Sequence, residues 1–559
     1  MPASEFAERP TTGRRPAWWQ RAWLRQGALL LAAVGSGMLV ANNPFRPGSD
    51  NPDATARGYL RFREILSYID RDYADSVDTE ALADYAVAQM LEKLDPHSVY
   101  IPAKDREKTD AFLQSDYDGV GLEFNLARDT MTVVAPISGG PAEQAGIQPG
   151  DQILTLGGKR VSGARMSNAQ LTQLLRGPRG SSIALSLLRR RQPKPISLSL
   201  TRSRIPNSSI DAAYLIDAET GYIKVSRFAS NTYDEFKVAL ADLRRQGLSR
   251  LVLDLRGNPG GYLDRATKLA DEFIAGSRRL VYTDGKGDQY DSQTYARIAG
   301  EFEEGPLVVL VDEGSASAAE VVAGALQDHD RALIVGRRTF GKGLVQQPIP
   351  LNDGGELRLT IARYFTPSGR SIQKPYGASY AEYSRDLLER EKRGELASAD
   401  SNRLAKGRRY RTTHGRSVYG GGGIMPDVFV PRDTLAHSAY FTRLQSSGLL
   451  RAFALTFYQQ HKAELEGLRF EQFNTTFRIS DAQLATLAEQ ATRDKLPADP
   501  AAARRCAPLV RNQLKAYIAR SAYGPVAYYT VLREQDPELL RAIQAVNDSA
   551  AQLALLGSK

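Results

Sequence analysis

Cysteine is nearly absent from this chain. Cys506 is the only one in 559 residues, which excludes an intrachain disulfide and any cysteine-built metal or redox centre. Histidine is scarce as well: His97, His329, His414, His437 and His461 are all there are. None forms an HExxH or other close ligand pair, which argues against a zinc hydrolase. The shortage also weakens any mechanism that needs a histidine beside a serine. Charge is close to balanced, with 73 Lys plus Arg against 64 Asp plus Glu and a net charge of +9. Spread over this length, the bias gives no ground for a nucleic-acid partner. At 42% hydrophobic and 25% charged, the composition excludes a polytopic membrane protein, a collagen-like fibre and a mostly disordered chain. The length suggests about three to four domains.

The N-terminus, residues 1–43, is expected to be an export or anchor segment. Arg14, Arg15, Arg21 and Arg25 precede an uncharged run over 26–43, the order of a signal peptide. A small-residue cleavage site is poor there, because Leu39 sits where a small residue is needed. Trp18, Trp19 and Trp23 lengthen the segment toward a spanning helix of about 20 residues. An uncleaved anchor is therefore favoured over a cleaved signal. Either places the body on the periplasmic side of the cytoplasmic membrane, in the cell envelope. Residues 44–57 form a Pro/Asn/Asp linker.

Four segments follow. Residues 58–116 are helical in pattern, with Leu60, Ile65, Leu66 and Ile69 at helical spacing and a turn signal at Asp95-Pro96. Residues 117–204 change to short strands and glycine turns. Residues 205–436 alternate strands and helices, which implies an α/β core with a mostly parallel sheet and a site beyond the carboxyl ends of its strands. A polar insertion at 376–416, rich in charge and helical in pattern over 383–392, is expected to be solvated; its basic run over 403–411 leaves a polyanion or lipid contact as a sharper alternative. Residues 437–559 are helix-rich and charge-balanced. A cap, a homo-oligomer contact and an adaptor surface are all compatible with them. The fold class is thus a multidomain α/β (α+β) chain.

Three stretches carry chemistry. The apolar strand over 307–311 runs into Asp312-Glu313-Gly314-Ser315-Ala316-Ser317-Ala318-Ala319-Glu320. Ser317, between a buried strand and a helix start, is placed as a nucleophile where free N–H groups favour negative charge. Ser317 with Glu320 is equally a capping box, and no GxSxG pattern brackets it. The second stretch is Thr339-Phe340-Gly341-Lys342-Gly343-Leu344-Val345-Gln346. A lysine with little water around it loses its proton readily and can act as general base to a serine. Strand alternation puts Lys342 and Gln346 on one face, so Gln346 can orient the amine. The third is Asn258-Pro259-Gly260-Gly261, where Gly260 or Gly261, with the N–H of Ala318, can present donors to an oxyanion.

Two resemblances follow from these motifs. The run GPAEQAGIQPGDQIL over 140–154, with the glycine turn before it, resembles a PDZ domain. This implies that Gly119, Val120, Gly121 and Leu122 cradle a peptide carboxylate while the adjacent strand edge pairs with the peptide. The order of that module, then LVLDLRGNPGG, GSASAAEVVAGALQDHDRALIVG, TFGKGLVQ and YFTPSGRSIQ, resembles the carboxyl-terminal processing proteases, also called tail-specific proteases. The match spans about Tyr59 to Asp427. It implies a Ser–Lys peptidase that needs no metal or cofactor. Ser317 is matched to its nucleophile, Lys342 to its base, Gln346 to the residue orienting that base, and Ala318 with Gly260–Gly261 to its oxyanion donors. Arg176 is matched to a position said to couple tail binding to activation. The chain departs from the pattern at Ala319, where a second small hydroxyl is common. The implied partners are proteins with free C-terminal tails, with the membrane reached through the N-terminal segment. A catalytically silent scaffold and a crotonase-like acyl-CoA enzyme are the rival readings. The co-presence of Ser317, Lys342 and Gln346 opposes the first; the export segment opposes the second.

Overall fold

The computed structural model describes residues 52–557, apart from 128, 191, 378–379, 399–406 and 434–437. The expected export or anchor segment lies outside the described residues, as does part of the basic run from 403. Among the described residues no helix is long and apolar enough to cross a membrane.

The chain divides into two compact units, 1–86 and 87–559. The first contains helix Pro52–Asp72 and the start of helix Thr79–Glu92. Leu60 and Ile65, which recur at helical spacing, are each 51% exposed. Periodicity identifies an apolar stripe, but burial needs a second surface to cover it.

In the second unit the helical pattern expected over 58–116 breaks after Glu92, at the expected turn, and resumes as helix Ala103–Asp110. Pro96 disfavours helix at Asp95, and strand Val99–Ile101 then pairs antiparallel with strand Glu356–Phe365. The N-terminal region therefore supplies an edge to a sheet of the core. Next comes a small β module with strand order Leu122–Ala127, Thr130–Pro136, Gln152–Leu156, Ser182–Leu188 and Ile196–Thr201, all antiparallel. Alternate residues Met131, Val133, Ile153, Leu185 and Leu187 are buried against helix Asn168–Leu175 through Leu171, the period-two pattern of a sheet with one covered face. Strands Asp116–Gly119 and Ser203–Pro206 pair where the chain enters and leaves the module.

The main sheet has six strands in the order Ile210–Leu215, Thr220–Val225, Arg250–Asp254, Leu307–Val311, Leu333–Gly336 and Val428–Phe429. The first pair is antiparallel and the rest are parallel. All five residues of the central strand Leu307–Val311 are buried, as a parallel strand covered on both faces requires. Helices Thr232–Arg245, Leu263–Asp271 and Ala318–Asp328 cover one face through Leu240, Leu269 and Val322. The other face is covered from the far end of the chain: Leu539, Ala542 and Val546 of helix Pro537–Asn547 pack on Val252, Val308, Leu310 and Val335. Part of the 437–559 extension is thus structurally inseparable from the core. The rest forms a helical body with its own core around Phe453, Leu514 and Ile518. That body touches both neighbours. Arg520 pairs with Glu123 of the β module at 2.7 Å, and Tyr529 donates to Asp211 of the main sheet at 3.0 Å. Arg256 pairs with Asp254 at 2.7 Å and with Asp536, from the start of helix Pro537–Asn547, at 2.8 Å.

A second, antiparallel sheet contains strand Leu344–Pro350 paired with Glu356–Phe365. Ser317 therefore hangs from the parallel sheet and Lys342 precedes a strand of the other.

Candidate active site

Ser317 has φ 55° and ψ −116°, a left-handed conformation that costs a non-glycine residue on the order of 1–3 kcal/mol. The turn around it is held open by surrounding bonds. Ser315 Oγ donates to the Leu255 carbonyl at 2.8 Å, and the Ala316 N–H donates to the Asn258 carbonyl at 2.9 Å. The Ser317 N–H donates to Glu320 Oε2 at 2.8 Å, so the capping-box contact expected from the sequence coexists with a strained strand-to-helix turn.

The ammonium or amine of Lys342 lies 3.0 Å from Gln346 Oε1. Gln346 Nε2 in turn donates to the backbone carbonyl of His97. Burial lowers the Lys342 pKa below the ordinary 10.5; Glu320 and Asp95 pull it back up, and Arg358 pushes it down. The neighbouring His97 is lowered to about 4, chiefly by burial and then by Lys342, so it is neutral over most of the pH range. Ser317 and Lys342 line one cavity of about 490 Å³, together with Gln346, Gly261, Ala318 and Tyr364.

Glu320 joins the two loops. Its carboxylate accepts from the N–H of Ser317 at 2.8 Å, of Lys342 at 2.8 Å and of Gly341 at 2.7 Å, and from the Thr339 hydroxyl. Burial pushes this carboxyl up to about 7 against the pull of those four donors. Tyr364 adds a second tie: its hydroxyl lies between the carbonyl oxygens of Ser317, at 3.0 Å, and Lys342. Sequence reasoning treated Glu320 as a helix cap alone and passed over Tyr364. The signal for Glu320 was its place three residues after Ser317; Tyr364 had none, because its role depends on a strand brought from 47 residues away.

The glycine pair divides its work. The Gly260 N–H is already given to Asn258 Oδ1 at 2.8 Å. Gly260 has φ +98°, and a Cβ there would lie 2.7 Å from Ser317 Cβ and 2.8 Å from the Ala316 carbonyl. Its absence of a side chain lets the two loops touch. Among the described residues the N–H groups of Gly261 and Ala318 have no hydrogen-bond acceptor, and both residues line the cavity.

In the β module, Gly119 bridges to the backbone of Arg176, and the Arg176 guanidinium stacks 4.6 Å over the Tyr117 ring. Val120 and Leu122 are buried, and Gly121 takes φ +71°. The carbonyls of Val120 and Gly121 accept from Ala142 and Ile137. Strand Leu122–Ala127 ends its sheet, so one edge has no strand partner among the described residues. None of Gly119, Val120, Gly121, Leu122 and Arg176 lines the Ser317 cavity.

The insertion at 376–416 forms the expected helix, as Tyr380–Lys392, but is not the solvated segment expected. Tyr383, Arg390 and Leu396 are buried. Gly422 and Gly423 pack against the lysine loop: a Cβ on Gly423 would lie 2.7 Å from the Thr339 carbonyl. Charge density along the sequence cannot separate a solvated face from charges paired inside a fold.

An α/β core carries a serine at a strand-to-helix turn, in one cavity with a half-buried lysine and two open N–H donors, an arrangement of the kind serine peptidases use, and it is joined to a small β module. Comparison with known proteins agrees. The model of peptidase family S41 matches residues 219–378, that of the PDZ domain residues 132–189, and that of a family of unknown function residues 440–524. A carboxy-terminal-processing protease of Bartonella bacilliformis is 35% identical over 363 residues, 62% of this chain and 82% of that one. A carboxyl-terminal-processing protease of Synechocystis is 38% identical over 296 residues, 52% of this chain and 68% of that one. Among solved structures, a photosystem II D1 C-terminal processing protease is 32% identical, covering 56% of this chain and 84% of its own, with a TM-score of 0.33. This chain belongs to the carboxy-terminal-processing protease family, serine peptidases of family S41 that here carry a PDZ domain.

Proposed function

We propose that this protein is an exported endopeptidase that recognises substrates by their free C-terminal tails and cleaves them through Ser317 and Lys342. The observation that carries the reading is the shared cavity of the two side chains, with Gln346 Oε1 3.0 Å from the Lys342 nitrogen. Neutral Lys342 takes the proton from Ser317 Oγ as that oxygen attacks the scissile carbonyl. The N–H groups of Gly261 and Ala318 receive the developing oxyanion. Lys342 then gives its proton to the departing amine, which leaves an acyl-enzyme. Water attacks the acyl carbonyl as Lys342 takes one of its protons, and Lys342 returns that proton to Ser317 Oγ as the carboxylic acid product leaves. Glu320 and Tyr364 tie the two loops to each other.

The PDZ domain supplies tail recognition in this reading. The glycine turn over 119–121 receives the terminal carboxylate, and the open edge of strand Leu122–Ala127 pairs with the residues before it. An unstructured substrate with a free C-terminus is expected to be cut several-fold faster than the same chain amidated at its end, and deletion of 118–204 should abolish the difference. Equal rates for the two substrates in the intact enzyme would remove the tail-reading role. The arginine-flanked apolar run over 26–43 supports a position on the periplasmic side of the cytoplasmic membrane. Protease added to spheroplasts is expected to degrade the body of the protein; full protection in intact spheroplasts, with loss only on lysis, would place it inside.

A further inference from the structure

The loop that carries Lys342, residues 338–343, is gripped from behind by the polar insertion. Helix Tyr380–Lys392 buries Arg390, which is 1% exposed, against it. The Arg390 guanidinium donates to the Arg338 carbonyl at 2.7 Å and to the Thr339 carbonyl at 3.1 Å, and its Nε donates to Glu395 Oε1 at 2.9 Å. Glu395 also receives both Nε and an NH₂ of Arg338, at 2.6 and 2.9 Å. Just before the helix, Lys374 is held between two rings, its nitrogen 4.0 Å from the Phe340 centroid and 4.1 Å from that of Tyr383, which the helix supplies. The Tyr383 hydroxyl lies 2.7 Å from His97 Nε2. His97 is the residue whose carbonyl holds Gln346, and Gln346 holds the Lys342 nitrogen.

Two independent paths therefore run from this helix to the same amine. One passes through backbone carbonyls three and four residues before it; the other passes through His97 and Gln346. A solvated insertion has no use for a guanidinium fork spent on the carbonyls of one loop, since desolvating that group is costly unless its bonds are needed. We propose that helix Tyr380–Lys392 is a clasp that positions the general base, with Arg390 and Tyr383 as its positioning residues. It acts by fixing where Lys342 points and by keeping water from the loop behind it. This rests on the Ser317–Lys342 reading above.

The test compares steady-state kinetics and pH–rate profiles of the full chain and its variants on one tailed peptide. Arg390→Met and Tyr383→Phe are each expected to lower kcat between about tenfold and a hundredfold, as displacement of a catalytic group by about 1 Å does, with KM within about twofold. The acid limb of kcat should move to higher pH, because a loosened loop admits water that restores the lysine's hold on its proton. Arg390→Lys should recover part of the rate. Leu388→Ala, on the exposed side of the same helix, should leave both rate and profile unchanged. Tyr383→Phe removes a single oxygen and keeps the test open if Arg390→Met does not fold. Ser317→Ala and Lys342→Met run alongside as references. If they retain activity, the dyad itself is wrong. If they are inactive while the Arg390 and Tyr383 variants keep the parent kcat, or lose rate without a shift of the acid limb, the clasp is overturned.

Discussion

Replacing Lys342 by methionine is expected to lower kcat/KM by about 10³-fold, the scale on which a general base contributes, while leaving tail binding and the fold in place. Methionine has nearly the length of lysine and no charge, and the side chain is partly buried, so the substitution removes the base without opening a new cavity. The same burial lowers the amine's pKa from 10.5, which makes the neutral amine available at a pH where an exposed lysine is fully charged. The sign is fixed by the chemistry. The active form is the deprotonated one, so kcat/KM of the parent enzyme should rise with pH along a single-proton limb whose midpoint lies below 10.5. That limb should vanish in Lys342→Met. Glu320 opposes the effect, since its anion favours the charged lysine. Purified Lys342→Met that turns over at the parent rate, or a parent profile flat across the range, would remove this amine from the mechanism.

Gly260→Ala should be nearly as damaging for a different reason. The added methyl would lie 2.7 Å from Ser317 Cβ and 3.0 Å from the Ala318 nitrogen, and none of these atoms belongs to a flexible side-chain end. At φ +98° the new residue is strained even before it meets them. Either the nucleophile turn or the loop carrying the Gly261 N–H must move, and misplacing an oxyanion donor costs about 10²–10³ in kcat. Gly257→Ala is the matched control. Gly257 also has positive φ, +68°, but no atom lies within 4 Å of a Cβ there. A kcat for Gly260→Ala no lower than that of Gly257→Ala would show that close contact between the two loops is not required.

Much of this site was legible as pattern. Strand Leu307–Val311 announced itself by five consecutive aliphatic residues; Lys342 and Gln346 do meet, but not by strand alternation, since the strand begins at Leu344 and its register shifts between Val345 and Gln346. The sequence also marked Gly260 and Gly261 as a pair, although only the fold separates their parts, giving one N–H to Asn258 and leaving the other open. Glu320 was visible but undervalued, because a capping carboxylate and a tie between two loops look the same in one dimension. The insertion at 376–416 misled for the opposite reason: its charges read as solvated, whereas Arg390 and Glu395 neutralise each other inside the fold.

What the sequence determined by itself is the set of local commitments: the alternation that makes an α/β core, the glycine turns of the PDZ domain, and a serine and a lysine each held next to an apolar strand. These follow from periodicities of two and 3.6 residues and from the torsional freedom of glycine, all of which act over a few neighbours. Only the tertiary structure decided which loops meet, that a helix near residue 540 closes the second face of the sheet, and that a charged insertion stands behind the base. Those outcomes depend on surfaces distant in the chain finding cover for apolar area and partners for buried charge, and no local pattern encodes the identity of the partner.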